Sequence, residues 1–173
     1  DVIKKYFSLT IAIHDVILSF AHSPGGDMNE WLFIFEDDIT IHSDIENPIC
    51  EIKAGIHLAH SDGLLYLGVC PKTCYAFSSI SYFGRTFQRC WGHCAHAFGI
   101  TRWKAFNFLS TLRSISFNGK KCEKKLEKRC YFFDTALRDY GQMAHPIWLV
   151  RPDKVVHTGG GNLMRGIHIH TCT

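Results

Sequence analysis

Residues 31–41 read WLFIFEDDITI, and this stretch limits the fold more than any other. Trp31–Phe35 contains no ionisable side chain, stops abruptly in Glu36, Asp37 and Asp38, and resumes as the alternation Ile39-Thr40-Ile41. A short continuous apolar run of this kind predicts a central strand covered on both faces. Three adjacent carboxylates repel one another, and burying any of them unpaired is costly. Two explanations remain open at this point. One is a solvated turn with helix-capping aspartates. The other is a hard divalent cation such as Mn²⁺ or Mg²⁺, which prefers oxygen ligands and often bridges to phosphates. The bulky strand before the carboxylates favours the cation, because ligands of open α/β sheets bind outside the carboxyl ends of strands.

The rest of the chain alternates helices and strands. Residues 2–22 predict an amphipathic helix that ends at the turn Ser23-Pro24-Gly25-Gly26. Its basic pair and apolar stretch superficially resemble a signal peptide, but His14 and Asp15 interrupt the stretch. Residues 49–60 carry Ile49, Ile52, Ile56 and Leu58 near helical spacing, Asp62-Gly63 marks a turn, and Leu64–Val69 is a second apolar strand. Residues 70–91 are cysteine-rich and aromatic without clear periodicity. Cys94–Ile100 predicts a strand, and Thr101 caps a helix running through Leu112. A basic helix over 119–129, a helix beginning at Phe132–Arg138 with Asp134 near its start, and a strand over Pro146–Val150 follow. The chain closes with a glycine-rich loop containing His157, His168 and His170. No repeat or low-complexity linker divides it, so residues 1–173 are expected to form one α/β domain.

Composition excludes some classes. A hydrophobic fraction of 46% and an aromatic fraction of 13% argue for a packed core over a disordered chain. With 19 basic and 16 acidic residues the charge is too balanced to indicate nucleic acid, and KKCEKKLEKR at 120–129 reads as a solvated helical face. No apolar run reaches the roughly 18 residues of a membrane span, so any membrane link would lie in a segment outside this chain. Eight cysteines point to disulfides and a secretory compartment. Zinc held by Cys90, His93, Cys94 and His96 is the alternative, as are unpaired buried thiols.

The ordered set of these motifs resembles one glycosyltransferase family. It is the family that contains the procollagen galactosyltransferases and the bacterial lipooligosaccharide glycosyltransferases. The resemblance rests on the strand ending in Glu36-Asp37-Asp38, on Ser61-Asp62-Gly63-Leu64-Leu65-Tyr66-Leu67-Gly68, on Cys94–Thr101 with the helix after it, and on Phe133-Asp134 through Pro146–Val150. It implies a GT-A (Rossmann-like) nucleotide-sugar transferase fold, with a mixed central sheet flanked by helices. The family's first strand–helix unit would precede residue 1. The cysteine content also departs from the bacterial members, and fits the lumen of the endoplasmic reticulum or Golgi.

The resemblance further implies a hexose moved from a nucleotide-sugar, a UDP-sugar first of all, to a hydroxyl of a protein or glycan. Glu36, Asp37 and Asp38 would take the DxD role against the diphosphate, with Asp38 and Glu36 as metal ligands and His157 as the late histidine ligand. His168 and His170 rival His157, since the IHIH alternation puts both on one strand face. Gly159 and Gly160 would offer backbone N–H groups to a phosphate. Asp134 would act as general base or acceptor-hydroxyl binder, against the plainer role of a helix N-terminal aspartate. Arg102 and Lys104 read as exposed helix-start charges, although either could pair a phosphate. Two other classes stay open: a disulfide-stapled GT-A-like binding domain without catalysis, and a metal-dependent phosphodiesterase using Asp37, Asp38 and the C-terminal histidines.

Overall fold

The computed structural model describes residues 2–36, 39–41, 48–68, 72–74, 79–83, 85–92, 97–117, 133–142, 148–151 and 156–158. Within them the architecture is mixed α/β. Four helices are described: α1 (Val2–His22), α2 (Pro48–Ala59), α3 (Arg102–Phe117) and α4 (Phe133–Gln142). The strands are β1 (Trp31–Phe35), β2 (Ile39–Ile41), β3 (Leu64–Gly68), β4 (Lys72–Cys74), β5 (Ile80–Tyr82), β6 (Arg85–Gly92), β7 (Ala97–Thr101), β8 (Trp148–Arg151) and β9 (Val156–Thr158).

Seven strands form one sheet in the order β1-β7-β3-β8-β6-β4, with β5 also paired to β6; β2 and β9 form a separate pair. β7 runs antiparallel to both β1 and β3, and β8 runs parallel to β3. The three strands β1, β3 and β8 therefore share one direction. β6 runs antiparallel to β8 and carries β4 and β5 antiparallel to itself.

Alternation along the strands divides the core. Leu64, Tyr66, Phe98 and Ile100 pack on one face with Ile17, Ala21, Ala105, Phe108, Leu109, Phe133, Leu137 and Tyr140 from α1, α3 and α4. Leu65, Leu67 and Ala97 pack on the other with Ala54 and Ala59 of α2, Ile39 of β2 and Phe87 of β6. The helices bury the residues that their spacing dictates. Phe133, Leu137 and Tyr140 fall at i, i+4 and i+7, as do Ile13, Ile17 and Phe20.

Two glycines are required by their surroundings. Gly63 enters β3 with φ +72°, and an added Cβ would fall 2.4 Å from Thr101 Oγ1. Gly99 lies under the Phe33 ring, where a Cβ would come within 2.5 Å of Cε1. Thr101 caps α3 as its position predicts: Lys104 N–H donates to its Oγ1 at 3.4 Å.

Several expectations need correction. β1 is half-buried and, among the described residues, pairs only with β7, so it stands at the end of the strand order and not at its centre. Its apolar character comes from packing on both sheet faces, not from flanking strands. The stretch without clear periodicity, 70–91, contributes β4, β5 and much of β6. The strand expected over Cys94–Ile100 is described over Ala97–Thr101, residues 94–96 lying outside the described residues, and α3 extends to Phe117. The basic helix expected at 119–129 lies outside the described residues. Arg102 and Lys104 are not exposed; each retains only 4% of its surface. Cys50 and Cys90 are buried and disulfide-bonded, which removes Cys90 from the zinc-ligand reading. His93, Cys94 and His96 lie outside the described residues.

Candidate functional site

The common direction of β1, β3 and β8 collects their carboxyl ends. Phe35 and Gly68 both pair with Ala97, so the last residues of β1 and β3 flank the same position. Glu36 follows at that end and is half-buried. Asp37 and Asp38 lie outside the described residues. The chain then enters β2, whose Ile39 retains 8% of its surface and packs in the α2-side core. That burial anchors the peptide on the far side of the three carboxylates.

β2 pairs antiparallel with β9, setting Ile39 opposite Thr158, Thr40 opposite His157 and Ile41 opposite Val156. Thr40 and His157, far apart in sequence, thus occupy one register, and the backbone of His157 adjoins the segment that follows Asp38. His157 lies in the middle of β9, not after a strand as expected. Gly159, Gly160, His168 and His170 lie outside the described residues. Among the described residues no three metal-ligating side chains come together.

Asp134 sits in the first turn of α4, half-buried. Its position is fixed by the preceding residue. Phe133 N–H donates to Thr10 Oγ1 of α1 at 3.3 Å. The Phe133 ring stacks on Phe98 at 5.4 Å between centroids and meets Phe108 edge-on at 5.8 Å. Phe98 is one residue in from Ala97, so α4 starts near the sheet end where Glu36 emerges. Further along α4, Tyr140 donates its hydroxyl to Asn107 Oδ1 and meets Phe108 edge-on at 5.1 Å. Burial raises the Tyr140 phenol above the ordinary tyrosine range.

The basic pair at the start of α3 has structural partners. The Arg102 guanidinium bonds the Phe20 and Ser23 carbonyls, Ser23 Oγ at 2.6 Å and the Asp27 carbonyl at 3.2 Å, pairs with Glu30, and lies 4.5 Å from the Phe20 ring centre. A cation at the C-terminal carbonyls of α1 is favoured by the helix dipole. Those contacts occupy Arg102, and a phosphate has no claim on it. The Lys104 ammonium lies 4.8 Å from the Trp103 ring and 5.6 Å from the Tyr140 ring. Burial lowers its pKa, opposed by the charge of Asp62.

Sequence reasoning passed over Tyr66. It is the single polar side chain in the run Leu64–Gly68, which is the signal that could have singled it out. It is fully buried, and its hydroxyl has no hydrogen-bond partner among the described residues. Comparison with protein-family models, with curated proteins and with solved structures finds no match for this chain.

Proposed function

We propose that this chain is a metal-dependent glycosyltransferase domain of GT-A type, moving a hexose from a nucleotide-sugar, UDP-linked first of all, to a protein or glycan hydroxyl. The observation that carries the reading is the β2–β9 pairing. It puts Thr40 and His157 in one register beside the segment that contains Glu36, Asp37 and Asp38. A mixed sheet with helices on both faces and three strand carboxyl ends gathered at one end agrees with it.

The donor types in this segment suit a divalent cation. Glu36 is a half-buried carboxylate residue just after β1, Asp38 follows it two residues on in sequence, and His157 lies on β9, whose backbone pairs with β2. Oxygen donors suit Mn²⁺ or Mg²⁺. A cation bound there would offset the charge that develops on the departing nucleoside diphosphate. The N–H groups of Gly159 and Gly160 follow His157 closely enough in sequence to serve the same phosphates. Asp134 is the acceptor-side base: it takes the proton of the acceptor hydroxyl as that oxygen bonds the anomeric carbon and the nucleoside diphosphate leaves. Its place near the strand end that presents Glu36 supports this role.

Calorimetric titration of UDP with and without Mn²⁺, on the protein and on Asp38→Asn, tests the reading. Binding that needs the metal and vanishes in the variant is the expected result. Absence of UDP binding by the folded chain in both conditions would overturn it and leave a disulfide-stapled binding domain.

A further inference from the structure

Phe83 follows β5 and keeps 69% of its surface, more than any other large apolar side chain among the described residues. Its φ is +48°, the one positive value among the described residues other than glycine. For a bulky side chain that conformation is an outlier. The register shows where it comes from. Tyr82 pairs with Arg85, so residues 83 and 84 form a two-residue hairpin connection between β5 and β6. Such connections put their first residue at positive φ, which Gly, Asn or Asp adopts at least cost. Asn would therefore serve this turn better than Phe. An exposed ring on a strained backbone stands against both solubility and turn chemistry, and that conflict points to a use.

The Phe83 ring meets Tyr82 edge-on at 4.5 Å, and Ile80 at the start of β5 keeps 42% of its surface. The hairpin thus ends in a small apolar tip. Charge on the strands around it has one sign: β4, β5, β6 and β8 contain no Asp or Glu. Lys72 lies on β4, Arg85 stands in register with Tyr82, and Arg151 stands in register with Thr86. Arg89, further along β6, pairs with Asp62 at 3.6 Å. The carboxylates at 36–38 follow β1, at the opposite end of the strand order. We propose that the β5–β6 hairpin docks on an anionic lipid surface, with Phe83 and Ile80 entering the boundary between headgroups and acyl chains. Lys72, Arg85 and Arg151 supply the positive charge that draws this end of the sheet to the headgroups. Apolar area buried in the interface and basic residues near a negative surface each add to such binding. A soluble polyanion accounts for the charge but not for the apolar tip, since Ile80 has no ring to stack on a base. The contact is peripheral, and no described helix is long and apolar enough to cross a membrane. It puts on this chain a membrane link that the sequence was expected to carry only elsewhere, and it does not depend on the transferase reading.

The test is co-sedimentation of the full chain with phosphatidylcholine vesicles, with and without an equal share of phosphatidylserine. The parent should bind the mixed vesicles, release as salt is added, and bind phosphatidylcholine alone far less. Phe83→Asn should weaken that binding about tenfold. Its melting temperature should stay level or rise, because Asn suits the turn. Arg85→Gln should weaken binding to the mixed vesicles about fivefold. Binding of Phe83→Asn as tight as the parent's would overturn the proposal, as would a parent that ignores both kinds of vesicle. If Phe83→Asn does not fold, Ile80→Thr decides the matter, since it keeps a strand-forming residue and removes apolar area from the tip. Unchanged binding by that variant would sink the idea. Equal capture of the parent and Phe83→Asn by heparin, with no binding to vesicles, would replace the lipid surface with a soluble polyanion.

Discussion

The two faces of the sheet are built from different materials. On the α2 side the buried residues are Ile39, Ala54, Ala59, Leu65, Leu67, Phe87 and Ala97, all apolar; the polar atom left without a partner there is Trp31 Nε1. On the side covered by α1, α3 and α4, the buried set includes the hydroxyls of Tyr66 and Tyr140, and Arg102 and Lys104 are buried at the start of α3. Both faces exclude water, so burial alone does not explain the difference. Polar groups are kept out of a core unless they are satisfied or used. Arg102 and Tyr140 are satisfied, the first by the carbonyls of Phe20, Ser23 and Asp27 and the second by Asn107. Tyr66 has no such partner among the described residues, and it packs in one cluster with Phe133, Leu137 and Tyr140 of α4. The α2 face is closed with apolar residues alone, and the opposite face also holds a buried hydroxyl that no described residue satisfies.

Truncating one aromatic on each face breaks or sharpens that contrast. Phe98→Ala removes the ring that supports Phe133, and a buried phenylalanine lost this way costs about 3–5 kcal/mol. Phe87→Ala on the α2 face should cost a similar amount by urea denaturation, since Phe87 is also fully buried. The two should differ in what else they disturb. Phe98→Ala frees the first turn of α4 and should broaden the Asp134 carboxyl signal, whereas Phe87→Ala should leave it sharp. Equal broadening in both would mean that α4 is held by the sheet as a whole and not through Phe98.

Arg102→Met comes next in size. It keeps the aliphatic stem but strips the cation from the Phe20, Ser23 and Asp27 carbonyls and from Glu30, for about 3 kcal/mol. The loss should appear first as hydrogen exchange at the C-terminal turn of α1, before global unfolding. A stability change below about 0.5 kcal/mol would show that solvent satisfies those carbonyls as well as Arg102 does.

How much of this was legible in the sequence follows from the range of the forces involved. Helices α1 and α2 and strands β1 and β3 declare themselves through local periodicity and turn residues, and their observed limits fall within a residue or two of those expected. Strands β4, β5 and β6 do not, because they are stabilised by pairing with one another and with β8, and neighbouring cysteines and aromatics mask their alternation. The carboxylates at 36–38 stand out because a charge cluster ending an apolar strand is a local conflict. The juxtaposition of Thr40 with His157 could not be read from spacing, since it depends on long-range pairing. Arg102 and Lys104 were misjudged for the same reason. Charges at a helix start are usually solvated, and only the path of α1 past the start of α3 buries Arg102.

Lys104 supplies the smallest effect and tests the polar face most delicately. Its pKa is lowered in the folded chain, with burial the first cause and Asp62 opposing it. A lysine binds its proton more weakly here than in the unfolded chain, where its value is about 10.4. Between the two values the unfolded state holds more protons, so the stability of the protein should rise with pH toward about 10.4. Below the folded value the ammonium is charged in both states, and its burial is a constant penalty softened by the faces of Trp103 and Tyr140. Lys104→Met removes the titration but keeps the packing, so the melting temperature of the parent should gain on that of the variant as pH rises toward that value. Parallel melting curves for parent and variant across that window would mean that the ammonium reaches water past the two rings. The face under α3 and α4 would then be less dry at Lys104 than it is at the fully buried Tyr66.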